Sequence, residues 1–223
     1  MLSSKILDFL FNLQFTVDLP DEVEVMHPFT DEVVSEVVKT FYNKFYHDNN
    51  PRYCIVGINP GRFGGGVTGI PFTDPIRLEK GCGIDNNWLR KQELSSVFVY
   101  DMIHAFGGPE AFYGKLYFTS ISPLGFTKNG KNLNYYDDKQ LAERIVPFAV
   151  DCLRKQIDWG LHTSVAFCLG EGTNFKFFSK LNKEYKLFER IVPLSHPRFI
   201  MQYRSKTKDD YIQKYLQEFL PLA

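Results

Sequence analysis

The sequence predicts an α/β fold: a three-layer sandwich with a central, mainly parallel, four-stranded sheet flanked by helices. Two observations carry this reading. Short apolar runs at 53–58, 116–121, 164–169 and 188–193 read as buried strands, and segments with helical spacing separate them. The runs are nearly continuous rather than alternating, which is the pattern of parallel strands covered on both faces. With 223 residues and no repeat, low-complexity tract or linker, the chain is expected to form a single domain over 1–223.

The elements follow in order. Leu2, Ile6, Leu7, Leu10 and Leu13 suggest a first amphipathic helix. Val33, Val34, Val37, Val38, Phe41 and Phe45 mark a second, entered after Thr30 with Asp31 and Glu32 favouring its first turn. Together they make a helical, acidic N-terminal extension at about 1–48. Between Ile6 and Val38 lie Asp8, Asp18, Asp21, Glu22, Glu24, Asp31, Glu32 and Glu36, without one Lys or Arg. The whole chain holds 26 basic and 26 acidic residues, so the remainder is markedly basic. That permits a polyanionic partner, though a solvated acidic face explains the segment equally well. Further helices are expected at 95–106, ended by Gly107-Gly108, at 138–157, ended near Gly160, at 173–182 and at about 208–219.

In a parallel sheet the ligand crevice lies beyond the carboxyl ends of the strands. There the unusual residues collect: Gly57-Ile58-Asn59-Pro60-Gly61 after the first strand, Ser120-Ile121-Ser122-Pro123-Leu124-Gly125-Phe126 after the second, Gly170-Glu171-Gly172 after the third and Leu194-Ser195-His196-Pro197-Arg198 after the fourth. The first loop continues with Gly64, Gly65, Gly66 and Gly69 and carries the aromatics Phe63 and Phe72. That is far more backbone freedom than a connection requires.

The common glycine-rich motifs do not fit. No Gly-Lys-Ser or Gly-Lys-Thr completes a P-loop. Phe175 stands where a dinucleotide fingerprint starting at Gly170 needs its third glycine. A nucleophile elbow is missing, and Ser195 beside His196 makes a poor pair because sequence neighbours seldom face each other. Cys54, Cys82, Cys152 and Cys168 are far apart with no zinc-ligand spacing, so no metal and no cofactor is expected. Cys54 and Cys168 read as small buried hydrophobes. Polar residues interrupt the apolar N-terminus and no spanning segment follows, so the expectation is a cytoplasmic protein.

Gly57-Ile58-Asn59-Pro60-Gly61-Arg62-Phe63-Gly64, running on to Thr68-Gly69-Ile70-Pro71-Phe72, resembles the first motif of the single-strand-selective monofunctional uracil-DNA glycosylases, in register without a gap. Tyr117 to Phe126 resembles their central strand and its Pro-Leu turn. Leu194-Ser195-His196-Pro197 is similar to the second catalytic motif of the wider uracil-DNA glycosylase superfamily. The likeness covers about 50–205 and leaves the acidic first forty residues outside.

The resemblance implies a monofunctional glycosylase that hydrolyses the N-glycosidic bond of uracil, and of related deaminated or 5-substituted bases, in base excision repair. The base would leave the stack and enter a pocket. Asn59 would hold the attacking water and His196 would hydrogen-bond the departing base as negative charge builds on it. Phe72 would stack on the base, with Gly57, Ile58, Gly61, Phe63 and Ser120 completing the substrate site. Arg198, Phe199, Arg204 and Lys206, in a stretch mixing apolar wedges with cations, would contact DNA as an insertion loop. The expected partner is DNA containing uracil or related damage, with no metal and no membrane, and a monomer is expected.

Two departures from the family pattern bear on specificity. Ser120 stands where the family usually has Asn, replacing a fixed donor–acceptor amide with a rotatable hydroxyl. Gly61 stands where uracil-strict members place a bulky Tyr, which is expected to leave the 5-side of the pocket open. From other classes, a nucleotide-binding or regulatory α/β protein without hydrolysis fits the same architecture, as does a catalytically silent nucleic-acid binder.

Overall fold

The computed structural model describes residues 1–222. The chain begins in α1 (Leu2–Phe11), whose Leu2, Ile6, Phe9 and Leu10 are buried at helical spacing. Then comes β1 (Val23–Met26), a strand inside the segment expected to be purely helical. Helix α2 (Glu32–Phe45) is capped by Asp31, whose carboxylate accepts the Val34 N–H at 3.0 Å. It buries Val34, Val38, Phe41 and Phe45, and leaves Val33 on the solvent side.

Strand β2 (Tyr53–Gly57) opens the main sheet. The glycine-rich stretch that follows holds the single turn α3 (Gly65–Thr68) and leads into α4 (Pro75–Cys82). Asp74 caps α4 through the Arg77 N–H at 2.8 Å, with Pro75 in its favoured first position. Next come α5 (Leu94–Phe106), α6 (Pro109–Tyr113) and the fully buried β3 (Leu116–Ser120). A hairpin of β4 (Gly125–Lys128) and β5 (Lys131–Leu133) turns at Asn129-Gly130, both left-handed with φ of 52° and 67°. Asn-Gly between two strands is the strongest short-range hairpin signal, because both turn residues need positive φ.

The helical run at 138–157 is two helices, α7 (Lys139–Arg144) and α8 (Val146–Ile157). Pro147 lacks the N–H that a continuous helix would need there, so the run restarts at Val146. The chain closes with β6 (His162–Leu169), α9 (Thr173–Tyr185), β7 (Ile191–Leu194), α10 (Pro197–Tyr203) and α11 (Lys208–Phe219). The stretch 198–204, expected to be an insertion loop, is therefore mostly helix.

The main sheet has the order β3-β2-β6-β7, with every pairing parallel and helices on both faces. Cys54 and Cys168 lie in its core. From β2 the chain moves outward to β3, then crosses back to β6 on the other side. The switch point thus lies between β2 and β6, where the carboxyl ends open a crevice. A second, three-stranded antiparallel sheet, β1-β4-β5, lies outside what the apolar runs predict. It brings the hairpin over one side of that crevice.

Candidate active site

A cavity of about 920 Å³ opens at the carboxyl ends of the parallel strands. Gly57, Ile58, Asn59, Gly61, Phe63 and Phe72 line it from the loop after β2. Ser120 joins them from β3, and His196, Arg198 and Phe199 from the far end of the sheet. The sequence candidates converge although separate loops supply them. Arg204 and Lys206 do not reach the cavity. The Arg204 guanidinium turns back to the Tyr203 carbonyl and lies 5.7 Å from the Phe199 ring, and Lys206 is exposed on the connection to α11.

Asn59 is held on both ends of its amide. Its Oδ1 accepts the Tyr135 N–H at 2.9 Å, and its Nδ2 donates to the Leu133 carbonyl at 3.1 Å. Backbone donors and acceptors cannot exchange roles, so these bonds fix which end of the amide is oxygen. One oxygen lone pair remains for another donor. The Tyr135 ring is pinned in turn, its hydroxyl donating to Asn174 Oδ1 at 2.7 Å, and Asn174 donates to the Leu169 carbonyl at 2.9 Å. Sequence reasoning missed Tyr135 and Asn174, because one acts through its backbone and both lie far from Asn59 along the chain.

His196 caps α10: its Nδ1 accepts the Arg198 N–H at 3.1 Å. Burial pushes the imidazole down to about 4, and the positive charge of Arg198 pushes the same way. At neutral pH the ring is therefore uncharged, with Nδ1 as acceptor and its only proton on Nε2. Beside it, at 6.1 Å between centroids, stands Phe72, held with φ of 54° in the left-handed region that a bulky residue seldom adopts. The Phe72 ring lies over Gly57, where an added Cβ would meet its edge at 3.1 Å. Gly57 pairs with Ser120 across β2 and β3. The Ser120 hydroxyl has no hydrogen-bond partner among the described residues and stays free for a ligand.

The space beside Gly61, expected to be open, is shared with a protein side chain. The side chain of Glu93, at the head of α5, fills the space beside Gly61 and Gly64. A Cβ on Gly64 would lie 2.0 Å from Glu93 Oε2, and one on Gly61 would lie 3.0 Å from Oε1. These glycines therefore make room for a carboxyl of the protein itself, not only for close approach of a nucleotide. Burial lifts that carboxyl to about 7, Asp74 adding to the rise while the Ser96 hydroxyl and Arg198 oppose it. In the sequence Glu93 is inconspicuous because it closes the polar run Arg90-Lys91-Gln92, which looks like solvated surface.

Phe63 lies between two cations, with the Lys91 ammonium 3.6 Å and the Arg62 guanidinium 4.5 Å from its ring centroid. Arg62 also donates to the Gly130 carbonyl, and its N–H to Asn132 Oδ1 at 3.1 Å, tying this loop to the hairpin. At the rim, Phe199 and Tyr203 are 42% and 60% exposed and pack on each other at 5.5 Å. Large aromatics so placed beside a cavity are unusual for an inert surface.

A model of the uracil DNA glycosylase superfamily matches residues 44–220. Among solved structures, the crystal structure of wild-type SMUG2 from Pedobacter heparinus superposes with a TM-score of 0.97 at 48% identity, covering 99% of this chain and 97% of that one. No curated protein matches the sequence. The structural match takes in the acidic N-terminal segment that the sequence motifs left outside.

Proposed function

Because the chain belongs to the uracil DNA glycosylase superfamily and is a DNA glycosylase, a hydrolase of N-glycosyl bonds, we propose that it excises uracil and related deaminated bases from DNA as the first step of base excision repair. The observation that carries this reading is the meeting of a clamped Asn59, a neutral His196 and the Phe72 ring in one cavity large enough to admit a flipped nucleotide. An extruded base stacks on Phe72. The free lone pair of Asn59 accepts a hydrogen bond from water and aims it at the anomeric carbon. Asn59 is too weak a base to ionise water, but none is needed if the sugar becomes cation-like before attack. The Nε2–H of His196 donates to the base as the bonding pair moves onto it. The protein acts as a monomer on DNA in the cytoplasm, and Phe199 and Tyr203 of α10 fill the gap left in the stack. The Glu93 carboxyl limits the 5-substituted class to groups that hydrogen-bond, such as 5-hydroxymethyl. Single-turnover assays on oligonucleotides carrying one lesion each, read out by alkaline strand cleavage, test the reading. No cleavage at uracil at any enzyme concentration overturns it.

Ser120 sets the tolerance of the pocket. A rotatable hydroxyl satisfies either an oxygen or an N–H on the base edge, so activity extends from uracil to deaminated purines. Ser120→Asn imposes a fixed pattern and raises the ratio of uracil to hypoxanthine excision. A hydrogen-bond mismatch of this kind is worth about 1–3 kcal/mol, hence a factor of tens rather than thousands. An unchanged ratio in the variant means that Ser120 does not face the base.

The basic rim predicts a salt effect. Each phosphate that a cation neutralises contributes about 0.7 to the slope of log affinity against log salt for single strands, and about 0.9 for duplex. Replacing Arg198, Arg204 and Lys206 together by neutral residues flattens that slope by up to about three such increments. If the slope of the triple variant equals that of the wild type, the DNA path lies elsewhere.

A further inference from the structure

Glu93 is a largely enclosed carboxyl of the cavity wall that takes no part in the chemistry above. Its Oε2 accepts the Ser96 hydroxyl at 3.0 Å, while Oε1, on the Gly61 side, has no hydrogen-bond partner among the described residues. The position of this group relative to a bound base follows from covalent structure. In a pyrimidine, O2 flanks the glycosidic nitrogen on one side and C6–C5 on the other. In a purine the corresponding flanks are N3 and C8–N7. His196 follows β7 and Gly61 follows β2, with β6 between those strands. When the charge-accepting flank, O2 or N3, faces His196, the opposite flank faces Gly61 and Glu93. There uracil offers only C–H, whereas a deaminated purine offers the ring nitrogen N7, a hydrogen-bond acceptor.

We propose that Glu93 is the general acid for deaminated purines, passing its carboxyl proton to N7 as the base departs. The inference rests on the glycosylase reading of the same site. As the N9–C1′ bond breaks, its electron pair stays with the base and the Glu93 proton moves to N7, so hypoxanthine leaves as a neutral tautomer. The Asn59-held water adds to C1′ and releases one proton to solvent, and the Glu93 carboxylate regains a proton from water. Uracil, with nothing to protonate on that flank, leaves with help from His196 alone.

The acid form is needed, and burial holds Glu93 protonated up to about pH 7. The charged groups around it are Asp74, at the head of α4, which disfavours its ionisation, and Arg198, on α10, which favours it. Arg77 is paired with Asp74 at 3.4 Å, and Lys91 is turned onto the Phe63 ring. His196, at about 4, does not titrate between pH 6 and 8, so this window isolates Glu93.

The test compares single-turnover excision of hypoxanthine and of uracil by the full-length protein from pH 6 to 8. The ratio of hypoxanthine to uracil rates is expected to fall about tenfold across the window, breaking near 7. Glu93→Gln, which keeps a hydrogen-bond donor but cannot transfer its proton, is expected to lower that ratio by about 10- to 100-fold at pH 6 and to remove the break. A substrate control needs no variant: hypoxanthine with N7 replaced by C–H should show no break with the wild-type enzyme. A flat wild-type ratio, a break that survives in Glu93→Gln, or the same break on the substrate lacking N7 overturns the role of Glu93. The uracil rate separates the two readings, since intact uracil excision with any of these results leaves the glycosylase assignment standing.

Discussion

Asn59→Ala is expected to lower the single-turnover rate of base release by two orders of magnitude or more, the range for loss of a water-orienting group. The geometry gives the reason. With Tyr135 N–H on Oδ1 and Leu133 carbonyl on Nδ2, the amide cannot rotate, so the acceptor proposed to hold the water is in place before substrate arrives. Affinity for DNA should change little, because the side chain is neutral and its amide is bonded to the protein's own backbone. The substitution also leaves the Tyr135 N–H and Leu133 carbonyl without their partner, so a melting curve must accompany the rate. Asn59→Asp preserves the acceptor for Tyr135 and separates loss of the clamp from loss of the amide. Near-wild-type turnover in a folded Asn59→Ala variant would remove the water-holding role and, with it, most of the case for hydrolysis at this site.

His196→Ala is expected to slow chemistry by about 10²- to 10³-fold, the usual cost of losing one preorganised donor to developing charge. The effect belongs in the rate of the bound complex and not in its affinity. Because His196 also caps α10, Ala removes an acceptor for the Arg198 N–H, which costs roughly 1 kcal/mol of stability. His196→Asn distinguishes the two effects: Asn is a good cap, so it restores stability, while its shorter side chain no longer reaches the base. A His196→Asn variant with normal rates would assign the residue to the helix and not to the leaving group. With its ring neutral above about pH 5, His196 contributes no break to uracil excision near neutrality.

The parallel sheet is legible because its strands are buried on both faces, so β2, β3 and β6 appear as continuous apolar runs. The small sheet is not. Its strands are three or four residues long, and β1 and β5 are half-exposed, giving neither a run nor an alternation long enough to read. Only the Asn129-Gly130 turn announces its hairpin, and it does so without flanking strands that can be recognised. The start of α10 is also written in the chain, as a capping His196 before Pro197 at the first helical position. The mixture of aromatics and cations that follows suggests an insertion loop and hides that helix. For Asn59, Phe72 and His196 the local motif is enough to bring them together on one rim. For Glu93 no local rule serves, since only the tertiary approach of α5 to the glycine-rich loop takes it out of water.

The small sheet has a consequence for how firmly the Asn59 amide is held. β1 pairs with β4, β4 with β5, and β5 ends at Leu133, whose carbonyl takes the Asn59 amide. A four-residue, partly exposed edge strand is the kind of element that opens locally at a small fraction of the global unfolding free energy. When β1 lets go, β4 becomes an edge, the hairpin keeps one ladder of two, and the amide clamp two strands away loses part of its support. Fraying of β1, a segment that precedes the family match, is therefore expected to loosen the hairpin that ends at the Asn59 clamp.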